Sequence, residues 1–135
     1  MANANSQTVY GNSARFVMEG LMVLSSAGAV SSYTGDGVTV VKNGTGLYDI
    51  TVTNPAQLEL VKVLFAGASL VDTAIGTVKD VGVKTTVAKN ATTGSFTMTV
   101  RTVDAAGADV DEATNGLTVC FSFVIQTARM TNPLD

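Results

Sequence analysis

Histidine and tryptophan are absent from this sequence of 135 residues, which also has one cysteine and two prolines. Without histidine the chain lacks the usual general base, the usual transition-metal ligand and the side chain that titrates near neutral pH. A single cysteine, Cys120, can form neither an intramolecular disulfide nor a zinc site built from cysteine pairs. No glycine-rich phosphate loop and no dinucleotide-binding fingerprint occurs. We therefore predict a protein that is not an enzyme and that binds no cofactor.

Charge is scarce as well. Charged residues make up 14% of the chain, the net charge is −3, and the eight Lys and Arg are dispersed without a cluster. A nucleic-acid-binding protein needs basic surface to displace counterions, so we predict no nucleic-acid partner. The apolar segment 16–24 is interrupted by Glu19 and Gly20 and is too short to span a bilayer, which predicts no membrane partner. Residues 1–14 are polar and lack the pattern of a secretion signal, which favours a protein made in the cytoplasm.

The sequence is rich in Val, Thr and Gly, which favours strands joined by tight turns. Apolar and polar residues alternate in segments spaced by about ten residues, and we count about seven or eight such strands. This pattern predicts an all-β protein, either an antiparallel β-sandwich or a jelly-roll-like barrel. Residues 1–14 show no periodicity and are predicted to form an extended N-terminal arm, and residues 15–135 a single β-sandwich domain.

Two regions have the clearest patterns. Residues 38–41 and 47–53 predict a hairpin, with Asn43-Gly44 supplying the positive φ that a tight turn needs. Residues 96–104 and 117–127 alternate best, and we expect these two strands to pair because sequential strands are often neighbours. Segments 15–24 and 58–65 are apolar on both faces. We favour strands for both, with a helix as the alternative for each, since their apolar residues also recur at helical spacing.

The strand 117–127 has a second property. Its even-numbered residues are small and uncharged, and they alternate with the apolar residues expected in the core. They form a candidate subunit-facing surface, since apolar surface poor in charge favours association. The residues on this predicted face are Thr118, Cys120, Ser122, Val124 and Gln126.

Acidic residues concentrate in the segment between those two strands, at Asp104, Asp109, Asp111 and Glu112. Closely spaced carboxylates can bind Ca²⁺, which makes these four residues a weak candidate for a cation site. The spacing does not match an EF-hand loop, and we favour a solvated acidic loop. The same loop could instead bind the basic surface of a partner protein.

The run Gly44-Thr45-Gly46-Leu47-Tyr48-Asp49-Ile50-Thr51-Val52 resembles a strand found in small virion proteins of tailed bacteriophages. An apolar strand over 58–66 follows here, as it does in those proteins, and then a late pair of strands over 96–103 and 117–125. The resemblance is to capsid decoration (cement) proteins and to knob-like or fibre modules. It implies a β-rich protein without cofactors, usually trimeric, that is added to the shell during or after maturation. The lack of a secretion-signal pattern agrees with assembly in the host cytoplasm.

The expected function is thus that of a structural virion protein, a homotrimer that binds the major capsid protein on the outer shell and stabilises it. A tail or head-fibre module that binds a host-surface glycan is the alternative, with Tyr10, Tyr33 and Tyr48 as the only tyrosines available for an aromatic platform. Expected partner contacts lie in the arm and in the acidic loop, at Val9, Tyr10, Asp109, Asp111 and Glu112.

Overall fold

A computed structural model of the chain describes residues 7–10, 13–35, 37–52, 60–71, 76–84, 88–89 and 95–127. The strands among these residues, in chain order, are β1 (Gln7–Tyr10), β2 (Ser13–Leu24), β3 (Val30–Thr34), β4 (Val38–Gly44), β5 (Leu47–Val52), β6 (Leu60–Leu70), β7 (Asp80–Val83), β8 (Ala88–Lys89), β9 (Phe96–Val103) and β10 (Leu117–Thr127). A short 3-10 turn, Ser26–Gly28, connects β2 to β3.

The strands form two antiparallel sheets of five strands each. Sheet A has the order β1-β2-β10-β6, and β3 also pairs with β2; sheet B has the order β4-β5-β9-β7, and β8 also pairs with β9. The predicted all-β antiparallel sandwich is confirmed, and the described strands form two separate sheets instead of a closed barrel. The four-residue β1 and the two-residue β8 bring the strand count above the expected seven or eight.

Alternating side chains build the core between the sheets, as the period of two predicts. On β10 every odd-numbered residue from Leu117 to Ile125 is fully buried, and on β9 every even-numbered residue from Phe96 to Thr102 is buried. Tyr48 of β5 is the largest side chain in this core. The other core residues come mainly from β2, β4 and β5: Met22, Leu24, Val38, Val40, Ile50, Val52, Val78 and Val81.

The expected pairing of strand 96–104 with strand 117–127 is wrong. β9 pairs with β5, β7 and β8 in sheet B, whereas β10 pairs with β2 and β6 in sheet A. The two strands therefore belong to opposite layers of the sandwich. The connecting segment, residues 104–116, is long enough to cross from one sheet to the other, so it does not constrain its strands to pair as a short hairpin loop does.

The hairpin of β4 and β5 is confirmed, with Val38 opposite Val52 and Gly44 opposite Leu47. Its turn lies two residues later than Asn43-Gly44, at Thr45 and Gly46. Gly46 has φ +64°, and a Cβ atom there would lie 2.7 Å from the backbone N of Val110. Glycine is needed at this position both for its backbone conformation and because another segment packs against it.

Segments 15–24 and 60–65 are strands, so the helical alternatives are wrong for these residues. β6 also continues to Leu70, beyond the expected end of its strand. Residues 76–79 are not in a strand, and β7 begins at Asp80. Residues 72–75 lie outside the described residues.

Part of the predicted arm is also described. β1 pairs with β2, with Gln7 opposite Phe16 and Tyr10 opposite Ser13. Residues 7–10 therefore return along their own domain as a hairpin. The rest of the arm, residues 1–6 and 11–12, lies outside the described residues, and the division of the chain at residue 14 stays a prediction.

Candidate interaction surface

Residues 104–116, called here the acidic loop, link β9 to β10 at one end of the sandwich. Asp104 begins the loop and accepts hydrogen bonds from the backbone N of Ala106 at 2.9 Å and of Ala108 at 3.0 Å. The backbone N of Asp104 donates to the carbonyl of Ala108 in return. The carboxylate of Asp104 therefore holds together the local turn that starts the loop.

Asp109 lies beside β9 in a single β-bridge with Val103. Its carboxylate accepts a hydrogen bond from Nε of Arg101 at 2.6 Å, and Nζ of Lys84 lies 3.5 Å away. Both cations belong to the outer side of sheet B. The negative charge of Asp109 is thus balanced by two basic residues of its own chain. The contact with Arg101 is a short, charge-assisted hydrogen bond.

Asp111 joins the acidic loop to the hairpin of β4 and β5. Its Oδ1 accepts hydrogen bonds from Nζ of Lys42 at 2.8 Å and from the backbone N of Gly46 at 2.7 Å. Partial burial of the Asp111 carboxyl acts to raise its pKa. The hydrogen bonds from Lys42 and Gly46 and the charge of Lys42 outweigh that burial, so the pKa of Asp111 lies below its usual value.

Tyr48 lies beneath this pair. Its hydroxyl donates a hydrogen bond to the carbonyl of Gly28 at 2.6 Å, and Nζ of Lys42 lies 5.5 Å from the centre of its ring. Burial raises the pKa of Tyr48, and the nearby charge of Asp111 raises it further. Tyr48 therefore remains protonated and acts as a buried donor that ties β5 to the 3-10 turn.

Glu112 is fully buried, with 0% of its surface exposed. Its Oε1 accepts hydrogen bonds from the backbone N of Thr77 at 2.6 Å and of Val78 at 3.4 Å. The carbonyl of Glu112 accepts a third from the backbone N of Gly28. The side chain of Glu112 thus fixes the backbone of residues 76–78 over the end of the core. The same hydrogen bonds satisfy the polar group, without which its burial would be costly.

These contacts change three expectations about the loop. Glu112 cannot contact a partner because it has no exposed surface, and for this residue the solvated-loop interpretation is also wrong. The four carboxylates point to four different sets of partners. Among the described residues no group of three or more His, Cys, Asp or Glu could hold a metal ion, so the structure gives the candidate cation site no support.

The other expected contacts are less clearly placed. Asp109 and Asp111 remain partly exposed, and each is already paired with a basic residue of its own chain. Val9 and Tyr10 belong to β1, and their side chains lie outside the described part of the structure. As partner contacts these four residues stay predictions.

In contrast to the charged acidic loop, the outer side of sheet A is an apolar surface. We define the outer face of sheet A as the residues of β2, β10 and β6 whose side chains point away from the core. On β10 these are the even-numbered residues from Thr118 to Gln126, and all five are half-buried. Their predicted direction away from the core is confirmed. The contributions of β2 and β6 to the same face could not be placed without the pairing of the strands.

An apolar row crosses this face. Val124 of β10 lies opposite Val17 of β2 on one side and opposite Phe65 of β6 on the other. Val17 is 48% exposed and Phe65 is 56% exposed, so both present apolar surface to solvent. Leu21 of β2, opposite Cys120, adds further exposed apolar area. Contiguous exposed apolar surface of this kind is typical of an interaction site.

Small residues occupy the centre of the face. Gly67 follows Phe65 on the same side of β6, and a Cβ atom on Gly67 would lie 2.8 Å from Cζ of the Phe65 ring. The ring therefore lies along the strand over the glycine. Ser122 is opposite Gly67, and Cys120 is opposite Ser69. Small residues in the centre of a sheet allow another sheet to approach closely.

Among the described side chains, Glu19 is the one charged residue on this face, and it lies opposite Ser122. The outer side of sheet B differs in that its polar groups contact one another. Thr51 and Thr97 hydroxyls are 3.0 Å apart, and Thr99 donates to Asp49 at 2.8 Å. Sheet B thus presents a surface of polar side chains hydrogen-bonded to one another, whereas sheet A presents an apolar one.

The sequence did contain a signal for the outer face of sheet A. Segments 15–24 and 58–65 are apolar on both faces, as expected of strands covered on both sides, and strand 117–127 is uncharged on its outward face. What the sequence could not show is that these strands are neighbours. Pairing of β10 with both β2 and β6 merges three separate patterns into one surface.

In comparisons with known proteins, no family model, no curated protein and no solved structure matches the chain. The described residues contain no helix with the length and apolar character needed to cross a membrane.

Proposed function

We propose that this chain is a structural protein without catalytic activity, a capsid decoration (cement) protein that binds the outside of a tailed-bacteriophage shell and stabilises it. The observation that carries the proposal is the outer face of sheet A, an exposed apolar surface on which Glu19 is the one described charge. An apolar surface of this kind lowers its free energy when other protein covers it. The working state is therefore an assembly.

The polar groups of the chain support a structural role. The carboxylates of the acidic loop, which would be the candidates for acid–base chemistry, make hydrogen bonds to their own chain. The sequence supplies no histidine to act with them. A decoration protein needs no reaction, because a protein that binds the closed shell more tightly than the disrupted one stabilises the closed shell by mass action.

In this proposal the protein acts as a homo-oligomer on the major capsid protein and is located in the virion. The resemblance to decoration proteins implies three copies per oligomer, and that number stays a prediction. The arm, with Val9 and Tyr10, and the exposed part of the acidic loop, with Asp109, supply the contacts to the shell. Residues 105–108 are exposed at the tip of that loop.

The glycan-binding alternative is less well supported by the geometry. Of the three tyrosines that could form an aromatic platform, Tyr48 is fully buried, with its hydroxyl bonded to Gly28. Tyr33 is exposed on β3, at the edge of sheet A. One exposed tyrosine among the described residues does not make a sugar-stacking platform, so we do not propose this function.

Mass spectrometry of virions purified from the phage that encodes the chain tests the proposal. We expect the protein at a copy number that is a fixed multiple of the shell's symmetry, and its absence from virions would overturn the role. The arm is tested by two deletions, since residues 7–10 pair with β2. Removing residues 2–6 leaves β1 in place, whereas removing residues 2–13 also removes a strand; loss of occupancy in the first variant assigns the contact to the arm itself.

A further inference from the structure

Two asparagines of the chain are followed directly by glycine: Asn43-Gly44 ends β4, and Asn115-Gly116 directly precedes β10. Asparagine before glycine is prone to spontaneous deamidation, in which the backbone N of the glycine attacks Cγ of the asparagine side chain. Glycine favours this attack because it has no Cβ to hinder the approach and its backbone turns freely. The two sites are alike in local sequence, so a difference between them comes from the fold.

Asn115-Gly116 is held by hydrogen bonds at both of the groups that would react. Oδ1 of Asn115 accepts from the backbone N of Ser26 at 2.6 Å. The backbone N of Gly116, which would be the nucleophile, donates to the carbonyl of Leu24 at 2.8 Å. Leu24 ends β2 and Ser26 begins the 3-10 turn after it, so one neighbouring segment fixes both groups. Attack at Asn115 therefore requires that both hydrogen bonds break.

Asn43 lies in a different environment. Its side chain is exposed, and it has no hydrogen-bond partner in the part of the chain that the structure describes. The ladder between β4 and β5 also skips this residue, since Lys42 lies opposite Tyr48 and Gly44 opposite Leu47, with a shift of register between them. Apart from chain neighbours, a Cβ atom on Gly44 would meet only the side chain of Leu47, at 3.5 Å. No distant segment blocks the approach of the two reacting groups.

We propose that Asn43 is a site of spontaneous deamidation in the folded protein and that Asn115 is protected from it. A bond forms between the backbone N of Gly44 and Cγ of Asn43, and the bond from Cγ to the side-chain nitrogen breaks. That nitrogen leaves as ammonia with the proton of the backbone N–H. One water then opens the succinimide ring, giving aspartate if the bond at Cγ is cleaved and isoaspartate if the bond at the backbone carbonyl is cleaved.

The product changes the tip of the hairpin of β4 and β5. It adds one negative charge to a chain whose net charge is −3, next to Lys42, which binds Asp111 of the acidic loop. Isoaspartate also adds a methylene group to the backbone of β4. The added atom falls at the residue that the ladder already skips, so we expect the strands to stay paired on both sides of it. The inference does not depend on the proposed function.

The wild-type, full-length chain tests the proposal. Folded protein and protein unfolded in guanidinium chloride are kept in mildly alkaline buffer, and tryptic fragments are followed over time by mass spectrometry against an unincubated sample. Trypsin cleaves after Lys and Arg, which places Asn43 in fragment 43–62 and Asn115 in fragment 102–129. In the folded protein we expect Asn43 to convert at least roughly tenfold faster than Asn115, because two hydrogen bonds must break at Asn115. In the unfolded protein the two rates should become similar.

Asn43→Gln is the control, because a glutamine side chain would have to close a larger ring and reacts more slowly. The more acidic form that anion-exchange chromatography separates from the wild type should not accumulate in this variant. Equal rates at the two asparagines of the folded protein would overturn the proposal. So would an Asn43 that converts in denaturant and stays intact in the folded protein, or an acidic form that accumulates at the wild-type rate in Asn43→Gln.

Discussion

Two regions of this molecule, the acidic loop and the outer face of sheet A, differ from what their residue types suggest. The acidic loop contains four of the eleven Asp and Glu residues, yet Glu112 is buried and Asp111 and Asp109 are paired with Lys42 and Arg101. The outer face of sheet A contains valine, leucine and phenylalanine, residues that suggest a core, and it leaves them exposed.

The difference between the two regions shows which of them can still gain free energy by binding a partner. A buried polar group carries a large penalty unless it is hydrogen-bonded, so the folding of the loop uses its carboxylates to satisfy backbone N–H groups. Apolar side chains have no such requirement, and those left exposed in a contiguous patch keep their free energy of burial for a partner. The paired and buried carboxylates of the loop therefore stabilise the fold, and the apolar face keeps the larger share of the free energy of association.

The largest effect in this comparison should follow from Glu112→Ala. The substitution removes the acceptor of the N–H groups of Thr77 and Val78 and opens a space at the end of the core. We expect the free energy of unfolding to fall by about 2–4 kcal/mol, as for a buried donor left unsatisfied. Urea denaturation followed by circular dichroism measures the change.

Glu112→Gln is the matched control, because its amide oxygen can still accept those hydrogen bonds, and it should lose less stability than the alanine variant. Glu19→Ala provides the contrast on the outer face, where we expect a loss within about 0.5 kcal/mol for the isolated subunit. If the Glu112→Ala and Glu19→Ala variants were equally stable, the acidic loop would contribute no more to the free energy of unfolding than the outer face does.

Phe65→Ala tests the other side of the comparison. Phe65 is half-exposed in the single chain, so its removal should affect folding little and association strongly. Burial of a phenylalanine contributes about 1.5–3 kcal/mol, which corresponds to a dissociation constant roughly 10- to 100-fold higher. Analytical ultracentrifugation over a range of concentrations measures it.

Val41→Ala is the matched control for Phe65→Ala, since Val41 is also exposed and apolar but lies on the outer side of sheet B. Its substitution should leave the dissociation constant unchanged. If Val41→Ala weakens association and Phe65→Ala does not, the binding face belongs to sheet B, and the comparison is reversed.

How far the sequence predicts this structure depends on whether the information is local. Alternation is local, so the buried odd-numbered residues of β10 and the buried even-numbered residues of β9 follow directly from it. The hairpin of β4 and β5 follows from short-range turn chemistry, although its turn at Thr45-Gly46 is displaced because Gly46 must also fit under Val110.

Pairing between distant strands is not local, and there the prediction fails. The sequence of residues 96–127 alone does not indicate that β9 and β10 lie in different sheets. That arrangement depends on distant strands, because β10 pairs with β2 and β6 and β9 pairs with β5 and β7. The burial of Glu112 is of the same kind. Its N–H partners at Thr77 and Val78 lie 35 and 34 residues away, so no spacing in the sequence marks it as a structural residue.

The smallest effect concerns Asp111, and it appears as a dependence on pH. The pKa of Asp111 is lower in the folded chain than its unperturbed value of 3.8, since the hydrogen bonds and charge of Lys42 outweigh partial burial. A carboxyl with a depressed pKa in the folded state stabilises that state fully above its unfolded pKa and loses this contribution as pH falls through the folded pKa. The contribution should therefore be constant near neutral pH and decline once the pH falls below about 4.

Asp111→Asn isolates this contribution, because the amide oxygen can still accept from the backbone N of Gly46 while the attraction to Lys42 is lost. We expect the variant to be about 0.5–1 kcal/mol less stable near pH 7, with the difference closing as the pH falls toward 3. Lys42→Gln removes the other charge of the pair, and it should likewise reduce the loss of stability that occurs as the pH falls toward 3. A difference that persists unchanged at pH 3 would mean that Asp111 acts through shape and hydrogen bonding, and the acidic loop would then stabilise the fold without using its charge.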